Sequence, residues 1–271
     1  MDWNNALILG LESSCDETAV ALIRGPRTVL ASKVSSQTDI HRQFGGVVPE
    51  VACRAHMEAF LPMLRIAFDE AGVKPEDIDG IAVTNRPGLI GALLVGVSAA
   101  KALALAWKKP LVGVNHIEAH ITAAKVAEPE LTEPFVALVV SGGHTTVYLC
   151  GENGVYTRLC NTLDDAAGEA FDKVASVLGL PYPGGPSIQK TAATGNPNAH
   201  PWKASCLTKD GVNFSFSGIK TAALYVARGQ KAGRKGELLL DAQGVADAAA
   251  SFQRAAVHAL VTRTIDAAKA H

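Results

Sequence analysis

Phe135-Val-Ala-Leu-Val-Val-Ser-Gly-Gly-His-Thr-Thr-Val-Tyr-Leu-Cys150 is the stretch whose reading decides the fold. Apolar runs rich in β-branched residues flank a small polar turn that starts at Ser141, so the segment predicts strand, turn, strand. The same pattern stands near the N-terminus. Ala6 to Leu11 is an apolar run, Glu12-Ser-Ser-Cys-Asp-Glu-Thr18 a polar turn, and Ala19 to Ile23 a second apolar run. Two copies at that separation predict a duplicated architecture with a cleft between its halves.

Between the copies the chain reads as alternating helices and strands. His56 to Gly72 has helical periodicity and a glycine stop, and Ile81 to Thr84 is a buried type of strand. Asn85-Arg-Pro-Gly-Leu-Ile-Gly is a loop, Ala92 to Trp107 an Ala/Leu-rich helix, and Pro110 to Asn115 a strand. That order predicts a βαβ arrangement and a mostly parallel sheet. After the second copy, Asp164 to Gly179 reads as helix and Tyr182-Pro-Gly-Gly-Pro as a rigid turn. Phe214-Ser-Phe-Ser-Gly-Ile-Lys220 alternates like a strand, Gly229 to Gly236 is a basic flexible loop, and Val245 to Ala270 is one long amphipathic helix. The expected boundary between the halves is 1–113 and 114–271.

Composition narrows the function classes. The chain has 271 residues, 48% hydrophobic and 19% charged, which suits an α/β enzyme and excludes a disordered segment. A net charge of −1 provides no global basic field, so any RNA contact must be a local patch or come through a partner. The first residues lack the basic start of a signal peptide, and the apolar run behind them is too short to span a membrane. Five cysteines (Cys15, Cys53, Cys150, Cys160, Cys206), odd in number and without a CxxC pair, point to a reduced cytoplasm.

Chemistry concentrates in a few motifs. In Val114-Asn-His-Ile-Glu-Ala-His-Ile121, His116 and His120 are four apart and project from one helix face, the geometry for gripping one metal ion. The second position of a zinc-protease motif would be a catalytic Glu; here it is Ile117, and Glu118 is turned about 100° away. The pair reads as a metal site without a protease base; a surface or core-edge pair is its plain alternative. Ser141-Gly142-Gly143-His144-Thr145 follows a strand directly and offers backbone N–H groups and hydroxyls to an anion such as phosphate, or is an ordinary hairpin turn. Asp165, Glu169 and Asp172 share a helical spacing, either as a solvated stripe or as groups for ribose hydroxyls or a reacting amine. Gly184-Gly185-Pro186 lets backbone approach a sugar or simply turns a corner. Lys220, Arg234 and Lys235 are candidates for RNA contact.

Taken together, Leu9 to Thr18, Gly45-Gly-Val-Val-Pro-Glu50, Asn115 to His120, Val140 to Thr145, Asp164 to Lys173, Tyr182 to Pro186 and Phe214 to Lys220 resemble the TsaD (Gcp, YgjD) family, in order and across essentially the whole chain. The resemblance implies an α/β, duplicated actin-like and sugar-kinase-like (ASKHA) fold with the ligand in an interdomain cleft. It implies transfer of a threonylcarbamoyl group from threonylcarbamoyl-AMP to N6 of adenosine 37 in tRNAs reading ANN codons. His116 and His120 would hold one divalent metal, iron(II) first and zinc second. Val139, Val140, Ser141, Gly142 and Gly143 would line the adenylate phosphate, while Asp172 and Gly185 would hold its ribose and neighbouring groups. TsaB- and TsaE-like proteins are the implied partners. Family members continue beyond this chain's last residue through a further nucleotide-contacting Asn and a third metal ligand, an Asp, so an incomplete second domain and an open site are expected. A kinase-like or ATPase enzyme on the same fold, or a non-catalytic scaffold subunit, are the competing functions, with a metalloprotease last.

Overall fold

A computed structural model describes residues 2–204, 213–230 and 236–271. The chain divides into two compact units, Met1–Glu130 and Leu131–His271.

In the first unit β1 (Leu7–Glu12), β2 (Glu17–Arg24) and β3 (Thr28–Ser36) form an antiparallel meander. Strands β4 (Gly80–Arg86) and β5 (Leu111–Asn115) join the other side of β1 in parallel, giving the order β3-β2-β1-β4-β5. Parallel neighbours need crossovers. Helices α1 (Thr38–Arg42) and α2 (Pro49–Ala71) carry the chain from β3 to β4, and α3 (Ile90–Trp107) carries it from β4 to β5. Leu7, Leu9 and Leu11 alternate into the core beside Val20, Leu22, Ile81 and Val83. Helix α2 answers with Phe60, Met63, Leu64 and Ala67, spaced 3, 1 and 3 as one helical face requires. Each of the larger side chains among these contributes about 1.5–3 kcal/mol on burial. Among the described residues α3 is the one helix long and apolar enough to cross a membrane by length and composition alone. Here its Ala92, Gly96 and Ala100 are buried, and it packs on α2, β1, β4 and β5.

The second unit opens with the same device. Strands β6 (Phe135–Val140), β7 (Thr145–Gly151) and β8 (Val155–Asn161) repeat the antiparallel meander. Counterparts of β4 and β5 are absent among its described residues. Helices α5 (Ala167–Val177), α6 (Gly184–Ala192), α7 (Ser217–Arg228) and α8 (Ala242–Ala270) pack together, with Ile188, Phe214, Phe216, Ile219 and Phe252 fully enclosed. Phe171 meets Phe252 edge-on at 4.9 Å between ring centres.

Four sequence readings change. Helix α4 (His116–Ala127) lies within the first contact unit, so the division falls at 130/131 and not at 113/114; α4 packs on β5 and β4, the strands that lead into it. Phe214 to Lys220 is not a strand: Phe214 makes a single bridge to Thr162, and α7 begins at Ser217. Buried Ile219, Ala223 and Ala227 set the helical period, which starts where the quoted alternation ends. Tyr182 to Pro186 is no free-standing turn, because Pro183 is the N-cap of α6 and Gly184, Gly185 and Pro186 are its first turn. Lys220 is no open RNA contact: it is half-buried and ion-paired with Asp165, which precedes α5. Cys206, Arg234 and Lys235 lie outside the described residues.

Candidate functional site

The first unit builds a histidine site on the junction of β5 and α4. Asn115 ends the strand and caps the helix, its side-chain oxygen accepting from the N–H groups of Ile117 and Glu118. Ile117 and Ile121 are buried, which turns the opposite side of α4, with His116 and His120, to the site. His116 Nδ1 lies 3.0 Å from the Glu12 carboxylate and 3.1 Å from the Ser14 hydroxyl. A carboxylate only accepts, so Nδ1 carries the proton and Nε2 carries the lone pair. That Nε2 points at His120 Nε2, 3.1 Å away.

Two nitrogens bound to one cation at about 2.0–2.1 Å stand about 3.0–3.4 Å apart. The observed separation is that of two ligands of one ion, and the carboxylate behind Nδ1 is the usual orienting partner of a metal-bound imidazole. The residues fit a divalent cation. Among the described residues, groups of three or more His, Cys, Asp or Glu able to hold a metal are absent, and His116 and His120 would be two ligands of such an ion.

Electrostatics agree with that division of roles. Burial alone would raise the Glu12 pKa; hydrogen bonds from His116, Ser14 and Thr84 outweigh it and hold the carboxyl at about 2. Burial, then the neighbouring His116, lower the pKa of His120, which favours its neutral ring. Glu12 ends β1 and Ser14 follows in the turn to β2, which lies against α3. The Ser13 hydroxyl donates to the Ala92 carbonyl at 2.8 Å, and a Cβ on Gly96 would stand 2.4 Å from that hydroxyl oxygen. Only glycine admits the turn so close to the helix.

The second unit gathers the residues expected to bind the adenylate around α5. Ser141 to His144 is the tip of the β6–β7 hairpin. The Ser141 hydroxyl accepts the N–H groups of Gly143 (3.3 Å) and His144 (3.0 Å), so two donors of the expected anion nest are folded onto the turn's own serine. Gly168, in the first turn of α5, donates its N–H to the Ser141 carbonyl at 3.1 Å. A Cβ there would come within 2.7 Å of that oxygen and 2.8 Å of Gly142 Cα, so a glycine sets how near the tip lies to the helix N-terminus. One turn on, Asp172 accepts the Gly184 N–H at 2.7 Å, joining α5 to the start of α6. Gly142, Gly143 and Gly185 have open space where a Cβ would be. Val139 is buried, whereas Val140, Gly142 and Gly143 are exposed.

The acidic stripe divides. Asp165 and Glu169 pair with Lys173, and Asp165 also with Lys220. Burial would raise the Asp165 pKa, but the two lysines lower it below the usual carboxylate range. Only Asp172 points its carboxylate to the α5–α6 junction. The sequence reading passed over Glu12 and Ser14 as partners of His116, Gly168 as the spacer beneath Ser141, and Asp164. The Asp164 carboxylate accepts the Ser215 hydroxyl at 2.5 Å and the Phe216 N–H at 2.9 Å. A carboxylate inside a Glu-Ser-Ser-Cys-Asp-Glu turn was the one available signal for Glu12.

Known proteins resemble the chain over most of its length. The family described as TsaD, tRNA N6-adenosine threonylcarbamoyltransferase, matches residues 28–271. A protein of Symbiobacterium thermophilum named tRNA N6-adenosine threonylcarbamoyltransferase is 53% identical over 98% of this chain and 76% of its own length. One of the same name from Syntrophobacter fumaroxidans is 52% identical over 97% of this chain and 77% of its own. The chain thus spans about three quarters of the length of these relatives. Component A of the (R)-2-hydroxyglutaryl-CoA dehydratase of Acidaminococcus fermentans superposes with a TM-score of 0.50 over 97% of this chain and 77% of that one, at 11% identity, a likeness of fold alone. The fold is the duplicated actin-like and sugar-kinase-like α/β one. By its match over most of its length and its identity with these relatives, the chain belongs to the TsaD family of tRNA N6-adenosine threonylcarbamoyltransferases.

Proposed function

We infer that this chain is a transferase that places the threonylcarbamoyl group on tRNA adenosine, the activity for which its relatives are named. We further propose threonylcarbamoyl-AMP as donor, N6 of adenosine 37 in ANN-reading tRNAs as acceptor, TsaB- and TsaE-like proteins as partners, and the cytoplasm as location. The observation that carries the reading is the convergence of two imidazole Nε2 atoms at 3.1 Å, with Glu12 behind the first ring.

The reaction forms a bond between N6 and the carbamoyl carbon and breaks that carbon's bond to the phosphate oxygen, releasing AMP and one proton from the amine. In this reading His116 and His120 hold an iron(II) or zinc ion, which when bound supplies Lewis-acid polarisation of a carbamoyl or phosphate oxygen. Glu12 keeps the proton on His116 Nδ1 and so directs the Nε2 lone pair. The Ser141-Gly142-Gly143 tip would line the donor phosphate, close to the N-terminus of α5, whose helix dipole favours an anion. Asp172 and Gly185 take the ribose side, the carboxylate accepting from hydroxyls and the glycine leaving room. Val139 and Val140 form the strand end beneath the phosphate.

The test is a reconstituted transfer. The chain, unmodified ANN-decoding tRNA, threonylcarbamoyl-AMP and the partner proteins are combined, and tRNA nucleosides are read by mass spectrometry. Threonylcarbamoyladenosine is the expected product. Its absence with all components folded and bound would overturn the assignment for this chain.

A further inference from the structure

We propose that His56 is a positioning residue for the His116 site: backed by Gln37 and His41, it holds the Cys15 carbonyl and, through it, the turn that carries Glu12 and Ser14. The proposal rests on the reading of Glu12, His116 and His120 as the working centre of the first unit.

The protons of this network can be placed one by one. His56, fully buried on α2, has Nε2 3.0 Å from the Cys15 carbonyl oxygen. A carbonyl only accepts, so Nε2 carries the proton. Nδ1 must then accept, and the Thr18 hydroxyl, 2.7 Å away, donates to it. His41, fully buried on α1, repeats the arrangement: Nε2 donates to Gln37 Oε1 at 3.1 Å, and Nδ1 accepts the Val48 N–H at 3.3 Å. Gln37 uses its amide nitrogen on the Ala52 carbonyl and the edge of His56 Nδ1, both at 3.4 Å, so its oxygen faces His41. Every donor meets an acceptor when both imidazoles are neutral and in the same tautomer. Buried polar side-chain atoms lacking a partner are absent among the described residues. Burial pushes the His56 pKa down, as a neutral ring in this role requires.

The turn itself shows what His56 adds. The Ser13 hydroxyl is tied to Ala92, the Ser14 carbonyl accepts the Leu89 N–H at 2.8 Å, and the Asp16 carbonyl accepts the Gln37 N–H at 2.9 Å. Backbone therefore fixes the carbonyls on either side of Cys15, whereas the Cys15 carbonyl is tied by a side chain. Releasing it frees the Cys15–Asp16 peptide plane, one residue beyond Ser14 in the same turn, and the Ser14 N–H and hydroxyl contact Glu12 and His116. The Gly45-Gly-Val-Val-Pro-Glu50 motif also gains a role. Val48, the N-cap of α2, supplies the last donor of the chain that ends at Cys15.

The test uses two variants of nearly equal size and polarity. His56→Gln places an amide N–H where Nε2 was and keeps the bond to Cys15, whereas His56→Asn reaches only the Nδ1 position. Zinc affinity is measured by competition with a chromogenic chelator, the His116 ring tautomer by 15N NMR, and stability by thermal melting. His56→Asn is expected to weaken zinc about tenfold, and to change the His116 ring from an Nδ1–H form to a tautomer mixture. His56→Gln is expected to stay within about twofold of wild type. Phe60→Leu, a core change on the same helix, controls for lost stability. Wild-type zinc affinity and ring signal in both His56 variants would overturn the proposal, as would an equal loss in Phe60→Leu. If His116→Ala binds zinc like wild type, the metal reading fails and the ring signal decides alone: an Nδ1–H form lost in His56→Asn upholds the positioning role, and an unchanged signal ends it.

Discussion

The two hairpin tips are built on the same scaffold and are packed in opposite ways. Residues 13–16 join β1 to β2, and residues 141–144 join β6 to β7, each at the end of an antiparallel meander. The first tip is packed. Ser13 and Ser14 are buried, Gly96 admits the turn to α3, His56 holds its carbonyl, and Glu12 beside it directs His116. The second tip is open. Gly142 and Gly143 have space beyond them, and the tip rests on the N-terminus of α5 through Gly168. The difference teaches how a duplicated fold diverges: one copy packs its turn behind a side chain, the other leaves glycines with open space beyond them.

The sharpest way to break the comparison is to remove the side chains that only the first tip serves. His116→Ala with His120→Ala is expected to abolish zinc binding and to lower transfer by about two to three orders of magnitude, with melting temperature nearly unchanged. Metal retained by the double variant, read by atomic emission after dialysis, would sink the assignment. Next comes Glu12→Gln. Losing the charge behind His116 should weaken zinc about 10–100-fold. The same carboxyl has a pH signature: its folded pKa of about 2 lies below its ordinary value of 4.5, so its stabilisation is present above that value and lost as pH falls through about 2. Melting temperature against pH should drop over that window in the wild type and less in Glu12→Gln.

At the second tip Gly168→Ala pushes a methyl onto the Ser141 carbonyl and Gly142. It should cost about 1–3 kcal/mol in urea unfolding and weaken AMP binding, while zinc affinity holds. The smallest effect on folding belongs to Gly185→Ala. Its methyl meets open space, so stability should move by no more than about 0.5 kcal/mol. Donor affinity should still fall, because the methyl occupies room assigned to the ribose side; unchanged affinity in calorimetry would remove Gly185 from the site.

The duplication was legible because a hairpin writes itself locally: two apolar runs and a polar turn, twice. Helices α2, α3 and α8 were legible from long periodic stretches with a glycine stop or an apolar face. His116 and His120 announced themselves by a spacing of four. What stayed hidden depends on contacts distant in sequence. Glu12 meets His116 across 104 positions, and nothing local marks that pairing. Phe214 to Lys220 imitated a strand because both Phe214 and Phe216 are buried, and only Ile219, Ala223 and Ala227 beyond reveal the helix. Lys220 read as a surface cation because its partner, Asp165, sits 55 residues earlier. Glycines 96 and 168 looked like ordinary helix residues, and the reason for each is a neighbour's oxygen.

One pair of titrations tests the division of labour most directly: zinc, and separately AMP in metal-free protein, against wild type, Glu12→Gln and Gly168→Ala. The account expects a crossed result. Glu12→Gln loses zinc at least about tenfold and keeps AMP within about twofold, and Gly168→Ala does the reverse. Variants that weaken both ligands equally, or neither, would contradict it.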